Sequence, residues 1–406
     1  MKIKVGVIFG GESVEHEVSV ISAVQAMNKI NLDKYEVIPI YIAKDGEWYT
    51  GEILKDIDSY KDLSLLKKYT KNIILMGSKG VFQLKLKTGL FNKVVTDIDI
   101  IFPIVHGTNV EDGGLQGYLQ TVGIPYVGSN VYASVVGQDK VYMKEIFKGA
   151  DLPVVKHIWF YDAEYREDQE GIIKKVNKLK YPVIVKPATT GSSVGIKTAS
   201  KEEELIEAID DAINYDNKII IEEMVSNLKE VNISVLGNYE NQKLSEIEEV
   251  ISAEKFLTYE EKYIGNGKIK AKDSHKNPCK TTGSKGMLSA SRKIPAEITE
   301  KERVEIEQIA STAFKVLGSS GVCRIDFLID EKTKKVYINE INSIPGSLAF
   351  YLWEPKGVSY TELLDTMITI GIKDYKKRTS KTHSFDSNIL SNCSFNSIKG
   401  SKGKLR

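Results

Sequence analysis

The pairs Arg324-Ile-Asp326 and Glu340-Ile-Asn342 bring a guanidinium, two carboxylates and a carboxamide close together in the chain. Cys323 to Ile329 is rich in β-branched and apolar residues, and Val336 to Asn342 alternates Val, Tyr and Ile with Asn and Glu. Both stretches predict short strands, joined by the polar turn from Asp330 to Lys335. Residues two apart on a strand share a face, so a hairpin gathers Arg, Asp, Glu and Asn on one side. An oxygen-rich set of this kind suits a hard cation such as Mg²⁺. The same pattern also marks the solvent side of a half-buried sheet. Ser343-Ile-Pro-Gly346 follows at once and offers backbone N–H groups beside the carboxylates.

A second set of residues suits anions. Tyr181 to Lys186 reads as a strand ending in a lysine, and the small-residue loop Gly191-Ser192-Ser193-Val-Gly195 follows it. Such a loop exposes N–H groups and hydroxyls that can close over phosphates, and a flanking lysine adds a point charge. Taken alone, such a run also serves as a simple flexible turn. The Walker pattern Gly-x-x-x-x-Gly-Lys-Ser/Thr is absent. His106 ends an apolar strand beside a Gly-rich turn, a place for a ligand contact or for a structural histidine; no second His or Cys stands at zinc-ligand spacing.

These residues need a scaffold of open sheets. Residues 2–9 predict a buried strand, Gly10 to Glu15 a tight turn, Val18 to Met27 a helix and Val37 to Ile42 a second strand, the opening of a parallel α/β sheet. The adjacent glycines do not match a Gly-x-Gly-x-x-Gly dinucleotide fingerprint. Residues 51–95 read as an irregular insertion with a hairpin across Gly80–Gly89, and 264–287 as a long mobile loop. Thr299-Glu-Lys-Glu302 predicts a capping box that opens a helix with Ile306, Ile309, Ala313 and Phe314 inward. The 406 residues suffice for two or three domains, and 42% hydrophobic with 27% charged residues describes an ordinary globular chain. Net charge is +1, with eight Lys/Arg against one Asp from Lys376 onward, so the body carries no basic footprint for nucleic acid. Cys279, Cys323 and Cys393 are too scattered for a disulfide framework or a metal site. No apolar run is long enough to span a membrane. The cytoplasm is the expected location.

The order of these motifs resembles the D-alanine–D-alanine ligases of the ATP-grasp superfamily. The resemblance rests on Gly10-Gly11-Glu-Ser-Val-Glu15-His-Glu-Val-Ser19, His106-Gly-x-x-x-Glu111-Asp112-Gly113, Lys186-Pro-x-x-x-Gly-Ser192-Ser193-Val-Gly195, Glu260-Glu-Lys262-Tyr263, Arg324-Ile-Asp326 and Asn339-Glu340-Ile-Asn342-x-Ile-Pro-Gly346, and covers residues 1–375. It implies an α/β, three-domain ATP-grasp fold: an N-terminal open parallel α/β domain (1–128), then two α+β domains (129–230 and 231–375) sandwiching ATP, with a basic disordered tail (376–406). It implies that ATP phosphorylates one D-alanine and that a second amino acid's amine attacks the acyl phosphate. Lys140, Lys186, Ser193 and Lys262 would hold phosphates, Glu222, Met224 and Val225 would line the adenine site, and Glu230 would meet the ribose. Asp326, Glu340 and Asn342 would ligate two Mg²⁺ or Mn²⁺ ions. Glu15, Ser192 and Tyr263 would couple lid closure to the first D-alanine, with His106 nearby, and Arg324 with the Gly346 N–H would stabilise the oxyanion.

The chain departs from the pattern in places. His16 stands where the family usually has Arg, Thr108-Asn-Val replaces a Gly-rich run, and Thr189 or Thr190 replaces an Arg before the Gly-Ser-Ser loop. Ser347 to Glu354 is unlike the usual second-substrate segment, where Tyr351 and Leu352 would meet that substrate. These features are similar to D-alanyl-D-serine-type ligases, so D-serine is an alternative partner beside D-alanine. Another ATP-grasp carboxylate–amine ligase is a further alternative. A homodimer is expected from the family.

Overall fold

The computed structural model describes residues 2–78, 80–89, 93–251 and 291–384. Lys262, Tyr263, the 264–287 stretch, Cys279, Cys393 and most of the basic tail lie outside the described residues.

Three sheets follow one another along the chain. The first has the order β6-β5-β4-β3-β2-β1-β7. It comprises β1 (Ile3–Gly10), β2 (Tyr35–Ile42), β3 (Trp48–Thr50), β4 (Lys71–Ser78), β5 (Val81–Leu86), β6 (Val94–Asp97) and β7 (Ile100–Pro103). Helix α1 (His16–Met27) links β1 to β2, and these two strands and β7 are parallel. Strands β3 to β6 add antiparallel, with α2 (Leu63–Tyr69) between β3 and β4. The 51–95 stretch is therefore an extension of the sheet, and its hairpin joins β4 to β5 with Ser78 opposite Val81, earlier than Gly80–Gly89. Period-two alternation was too short there to fix the strands. Helices α3 (Gly114–Val122), α4 (Val131–Gln138) and α5 (Lys140–Gly149) lead on to the second sheet.

That sheet has the order β10-β9-β11-β8. Its strands are β8 (His157–Tyr161), β9 (Val183–Pro187), β10 (Lys197–Ala199) and β11 (Lys218–Glu223), covered by α6 (Asp162–Glu167), α7 (Gln169–Val176) and α8 (Glu202–Ala212). The third sheet is antiparallel, in the order β14-β13-β12-β15-β16. It comprises β12 (Leu228–Gly237), β13 (Gln242–Ile251), β14 (Ser291–Lys293), β15 (Gly321–Asp330) and β16 (Lys335–Asn342). Helix α9 (Glu300–Val316) packs on it through Ile306, Ile309, Ala310, Ala313 and Phe314. Its Thr299–Glu302 capping box forms as expected.

Each sheet has its own apolar core. The first continues through Ile344, Leu348 and Trp353 into Leu363, Leu364 and Ile368 of α10 (Tyr360–Thr379). From Lys373 the chain forms a second unit, described to residue 384, in which His383 Nε2 donates to the Arg378 carbonyl at 2.7 Å. Among the described residues no helix is long and apolar enough to cross a membrane.

Candidate active site

The third sheet sets one wall. In its registers Glu248 of β13 pairs with Asn232, Asn232 with Asp326, and Asp326 with Glu340, so four polar residues form one row across four strands. Arg324 and Asn342 stand opposite each other two residues along. A bulge in β16 controls this register. Phe327 pairs with Ile338, so Asn339 is skipped and its carbonyl is left for another partner. Arg324 donates to both Asp326 oxygens, Nε and Nη2 each at 2.7 Å, and Asn342 Nδ2 lies 3.3 Å from Oδ2. Burial raises the Asp326 carboxyl, Arg324 draws it down, and the nearby Glu340 and Glu248 carboxylates push it up again, with a net rise. Anionic crowding of this kind is relieved by a cation.

The second sheet and α5 set the opposite wall. Asp139 caps α5 by accepting from the Val141 and Tyr142 N–H groups at 2.9 and 3.1 Å, and it takes Lys218 Nζ at 2.5 Å. Lys218 also lies 3.7 Å from the centre of the Tyr142 ring. The helix so fixed carries Lys140, which donates to the Thr190 carbonyl at 2.6 Å and holds the base of the Gly-Ser loop. Gln138 Nε2 donates to the Thr189 carbonyl at 2.7 Å, and Thr189 binds Asp216 through N–H and hydroxyl. Ser192 and Ser193 sit at φ 52° and 61°, left-handed conformations that non-glycine residues adopt at a cost of about 1–3 kcal/mol each. Lys186 Nζ lies 2.7 Å from Glu222 Oε2. Burial lowers the Lys140 ammonium, and Lys186 adds to the fall.

The first sheet sets the third wall. Glu15 precedes α1, and its carboxylate accepts from the Ser192 hydroxyl across the cavity. His16 turns inward: Nδ1 donates to the Gly11 carbonyl at 2.6 Å and Nε2 accepts from Tyr41 at 3.0 Å. The departure at this position therefore secures the Gly10-Gly11 turn. Gly10, at φ +89°, has no room for a side chain, since a Cβ would lie 2.2 Å from the Ile42 carbonyl oxygen. His106 meets Ser22 Oγ at 3.2 Å, and the same oxygen accepts from the Ser347 N–H at 2.9 Å. Burial pushes His106 down to about 4, so it is neutral at pH 7. Glu111 accepts from the Gly107 and Ile344 N–H groups and from Ser343 Oγ at 3.0–3.2 Å. Burial, with Glu15 nearby, pushes it up to about 8.

The last segment is irregular. Ser347, Leu348 and Ala349 all lie at φ 50–54°. Tyr351 donates to Glu248 Oε1 at 3.0 Å, and the Arg292 guanidinium stands 4.5 Å over its ring. Trp353, 1% exposed, donates to Ser234 Oγ at 3.0 Å.

One cavity is lined by Glu15, His106, Lys140, Ser192, Ser193, Arg324, Glu340, Asn342 and Gly346, together with Glu111 and Gln138. Lys186, Glu222 and Asp326 are not in this lining: the Lys186 charge acts on Lys140, Glu222 pairs with Lys186, and Asp326 accepts from the lining residue Arg324. Met224 and Val225 follow the end of β11, Glu230 lies on β12, and Leu352 is fully buried. Tyr351 and Leu352 are not among the lining residues. Sequence reasoning assigned no role to Ser22, Glu111, Lys144 or Glu248. Glu111 stood inside a quoted motif and could have been found by its four-residue offset from Gly107; the others depend on long-range contacts.

The profile of the D-ala D-ala ligase N-terminus matches residues 4–129, and that of the C-terminus matches residues 146–369. A D-alanine–D-alanine ligase of Thermosipho melanesiensis is 40% identical over 390 residues, 96% of this chain and 98% of the relative. The D-alanine–D-alanine ligase of Coxiella burnetii superimposes with a TM-score of 0.75 at 27% identity, covering 93% of this chain and 96% of that one. The VanG D-Ala:D-Ser ligase of Enterococcus faecalis does so at 0.73 and 29%, covering 91% and 100%. The three-walled cavity and these likenesses agree, and the chain belongs to the D-alanine–D-alanine ligase family, ATP-dependent ligases with the ATP-grasp fold.

Proposed function

We propose that this chain joins two D-alanines into D-alanyl-D-alanine for peptidoglycan precursors, at the expense of ATP. The observation that carries the reading is the cavity itself, where Lys140 and the Gly-Ser loop face Glu340, Asn342 and Arg324, with Glu15 at the third side. Phosphoryl transfer mainly needs positioning and charge neutralisation, which buried lysines opposite oxygen donors supply. The first D-alanine carboxylate oxygen attacks the γ-phosphorus, ADP leaves, and an acyl phosphate remains. The amine of the second D-alanine attacks the carbonyl carbon; the tetrahedral intermediate collapses, expels inorganic phosphate and loses the amine proton. Glu15 pairs with the first ammonium, and His106 stands beside it. Lys140, Lys186 and Ser193 hold phosphate oxygens, joined by Lys262 from outside the described residues. Arg324 and the Gly346 N–H receive the oxyanion. Glu222, Met224, Val225 and Glu230 serve the nucleoside end.

Asp326, Glu340 and Asn342 would hold two Mg²⁺ or Mn²⁺ ions. Two crowded carboxylates and a carboxamide form a hard-oxygen donor set, which fits. Among the described residues no three His, Cys, Asp or Glu side chains are grouped so as to hold a metal ion by themselves, and the Asn342 amide would be the third donor. Bound there, the ions would neutralise phosphate charge. We infer three domains, 1–128, 129–230 and 231–375, a homodimer, and the cytoplasm as the place where ATP and D-alanine meet this cavity. A second reading makes D-serine the second substrate, favoured by the likeness to the VanG ligase and by the unusual Ser347–Glu354 segment. ADP release with D-alanine alone, against D-alanine plus D-serine, decides between them. Equal or better turnover on D-alanine alone is expected; a clear preference for the mixed dipeptide would replace the first reading with the second.

A further inference from the structure

Lys144 lies one helical turn beyond Lys140 on α5 and is 1% exposed, yet it does not line the cavity. Its Nζ stands 3.0 Å from Glu222 Oε1, an ion-pair contact rather than an aligned hydrogen bond. Lys186 holds the other oxygen of the same carboxylate at 2.7 Å. Lys144 Nζ also donates at 3.2 Å to the carbonyl of Asn339, the residue that the β16 bulge leaves out of the ladder. One buried ammonium thus touches both walls. It reaches Lys186 through Glu222 on the second sheet, and on the third it caps the bulge that sets Glu340 opposite Asp326. A fully buried charge is costly unless it is paired, so a lysine used only for packing would be better replaced by an apolar residue.

We propose that Lys144 is a positioning residue for the nucleotide phosphates, acting through Glu222 to hold the Lys186 ammonium toward them. The inference rests on the reading of this cavity as a nucleotide site. With two cations on one carboxylate, Glu222 is shared and Lys186 keeps attraction to spare for an anion. Without Lys144, Glu222 has a single partner and draws Lys186 onto itself.

The test compares ADP with adenosine, by calorimetry on wild type, K144M, K144R, E222Q and K144M/E222Q. K144M should weaken ADP by about tenfold, the scale felt when a partner acting through a ligand is removed, and adenosine, which would meet only the nucleoside end of Glu222, by much less. K144R should recover most of the loss. In the E222Q background the K144M change should matter by less than about twofold, because the intermediary is gone. Equal weakening of ADP and adenosine, or an effect of K144M that persists undiminished in E222Q, would overturn the proposal and leave Lys144 a structural lysine. Wild type that binds neither ADP nor adenosine would remove the nucleotide reading, and this inference with it. Wild type that binds ADP beside a K144M that binds it equally well removes the inference alone.

Discussion

On the strand-built side of the cavity, Arg324, Asp326, Glu340 and Asn342 stand on two neighbouring strands and meet partners on those strands. On the other side, Gly346 to Trp353 runs through three consecutive left-handed residues and is held from far away. Ser347 binds Ser22 and Gln25 of α1, Tyr351 binds Glu248 of β13, and Trp353 binds Ser234 of β12. The first arrangement fixes charge with short-range geometry, as phosphoryl transfer requires. The second hangs the proposed second-substrate loop on three distant elements, and of its partners there Glu248 alone belongs to the charged row. The proposed chemistry and the proposed choice of second substrate thus fall on differently built sides.

The largest effect should come from the strand side. Glu340→Ala removes a carboxylate from the row and should lower ADP-forming turnover by at least about a thousandfold. The melting temperature should stay within about 4 °C, since Glu340 is partly exposed and relieves crowding on Asp326 when it goes. Steady-state kinetics and a thermal melt check both halves. Near-normal turnover would break the metal assignment and the division between the two sides.

The same contrast explains what the sequence disclosed. Alternation along Val336–Asn342 and the lysine before the Gly-Ser loop are local signals, so Arg324, Asp326, Glu340, Asn342 and Lys186 could be read directly. The Asn339 bulge shows in the sequence only as two polar residues in a row, Asn339 and Glu340, between Ile338 and Ile341, a break too small for an alternation reading to register. Lys144 carries no local signal; only the packing of α5 against β11 and β16 reveals its burial. Tyr351 and Glu248 are 103 residues apart, beyond any periodicity. The antiparallel half of the first sheet was obscured because β3 and β6 are only three and four residues long and helical turns separate β3 from β4.

Glu111 joins the Gly107 turn to Ser343 and Ile344, just where the strand side passes into the loop. Its folded carboxyl releases its proton near pH 8, whereas a free glutamate does so near 4.5. Between these values the unfolded chain is ionised and the folded one is not. The unfolded chain then binds fewer protons, so stability falls as pH rises through this window and levels off above 8. Glu111→Gln has no such proton. The stability of wild type relative to Glu111→Gln should therefore fall by roughly 3–4 kcal/mol from pH 5 to 8, measured by denaturant melts at each pH. His106, held down to about 4 by burial with Arg324 nearby, contributes the opposite trend below pH 6.5, but equally in both proteins. A flat difference would mean that Glu111 titrates alike in the folded and unfolded chains, its three donors offsetting burial and Glu15.

The smallest effect belongs to the loop side. Tyr351→Phe keeps the ring under Arg292 and removes one donor to Glu248, whose carboxylate retains Asn232 at 3.0 Å and Arg292 at 3.7 Å. Losing one of several donors to a buried carboxylate costs about 1 kcal/mol, so kcat/KM for the second amino acid should fall by about fivefold. The KM for ATP should not move, because the hydroxyl points to β13 and away from Lys140 and the Gly-Ser loop. Steady-state kinetics at saturating ATP, with D-alanine and D-serine compared as second substrates, reads this directly. An equal rise in both KM values would show that the two sides of the cavity are coupled through the Glu248–Asn232–Asp326 row. An unshifted second-substrate constant would make Tyr351 a packing residue and return the choice of substrate to the residues lining the cavity.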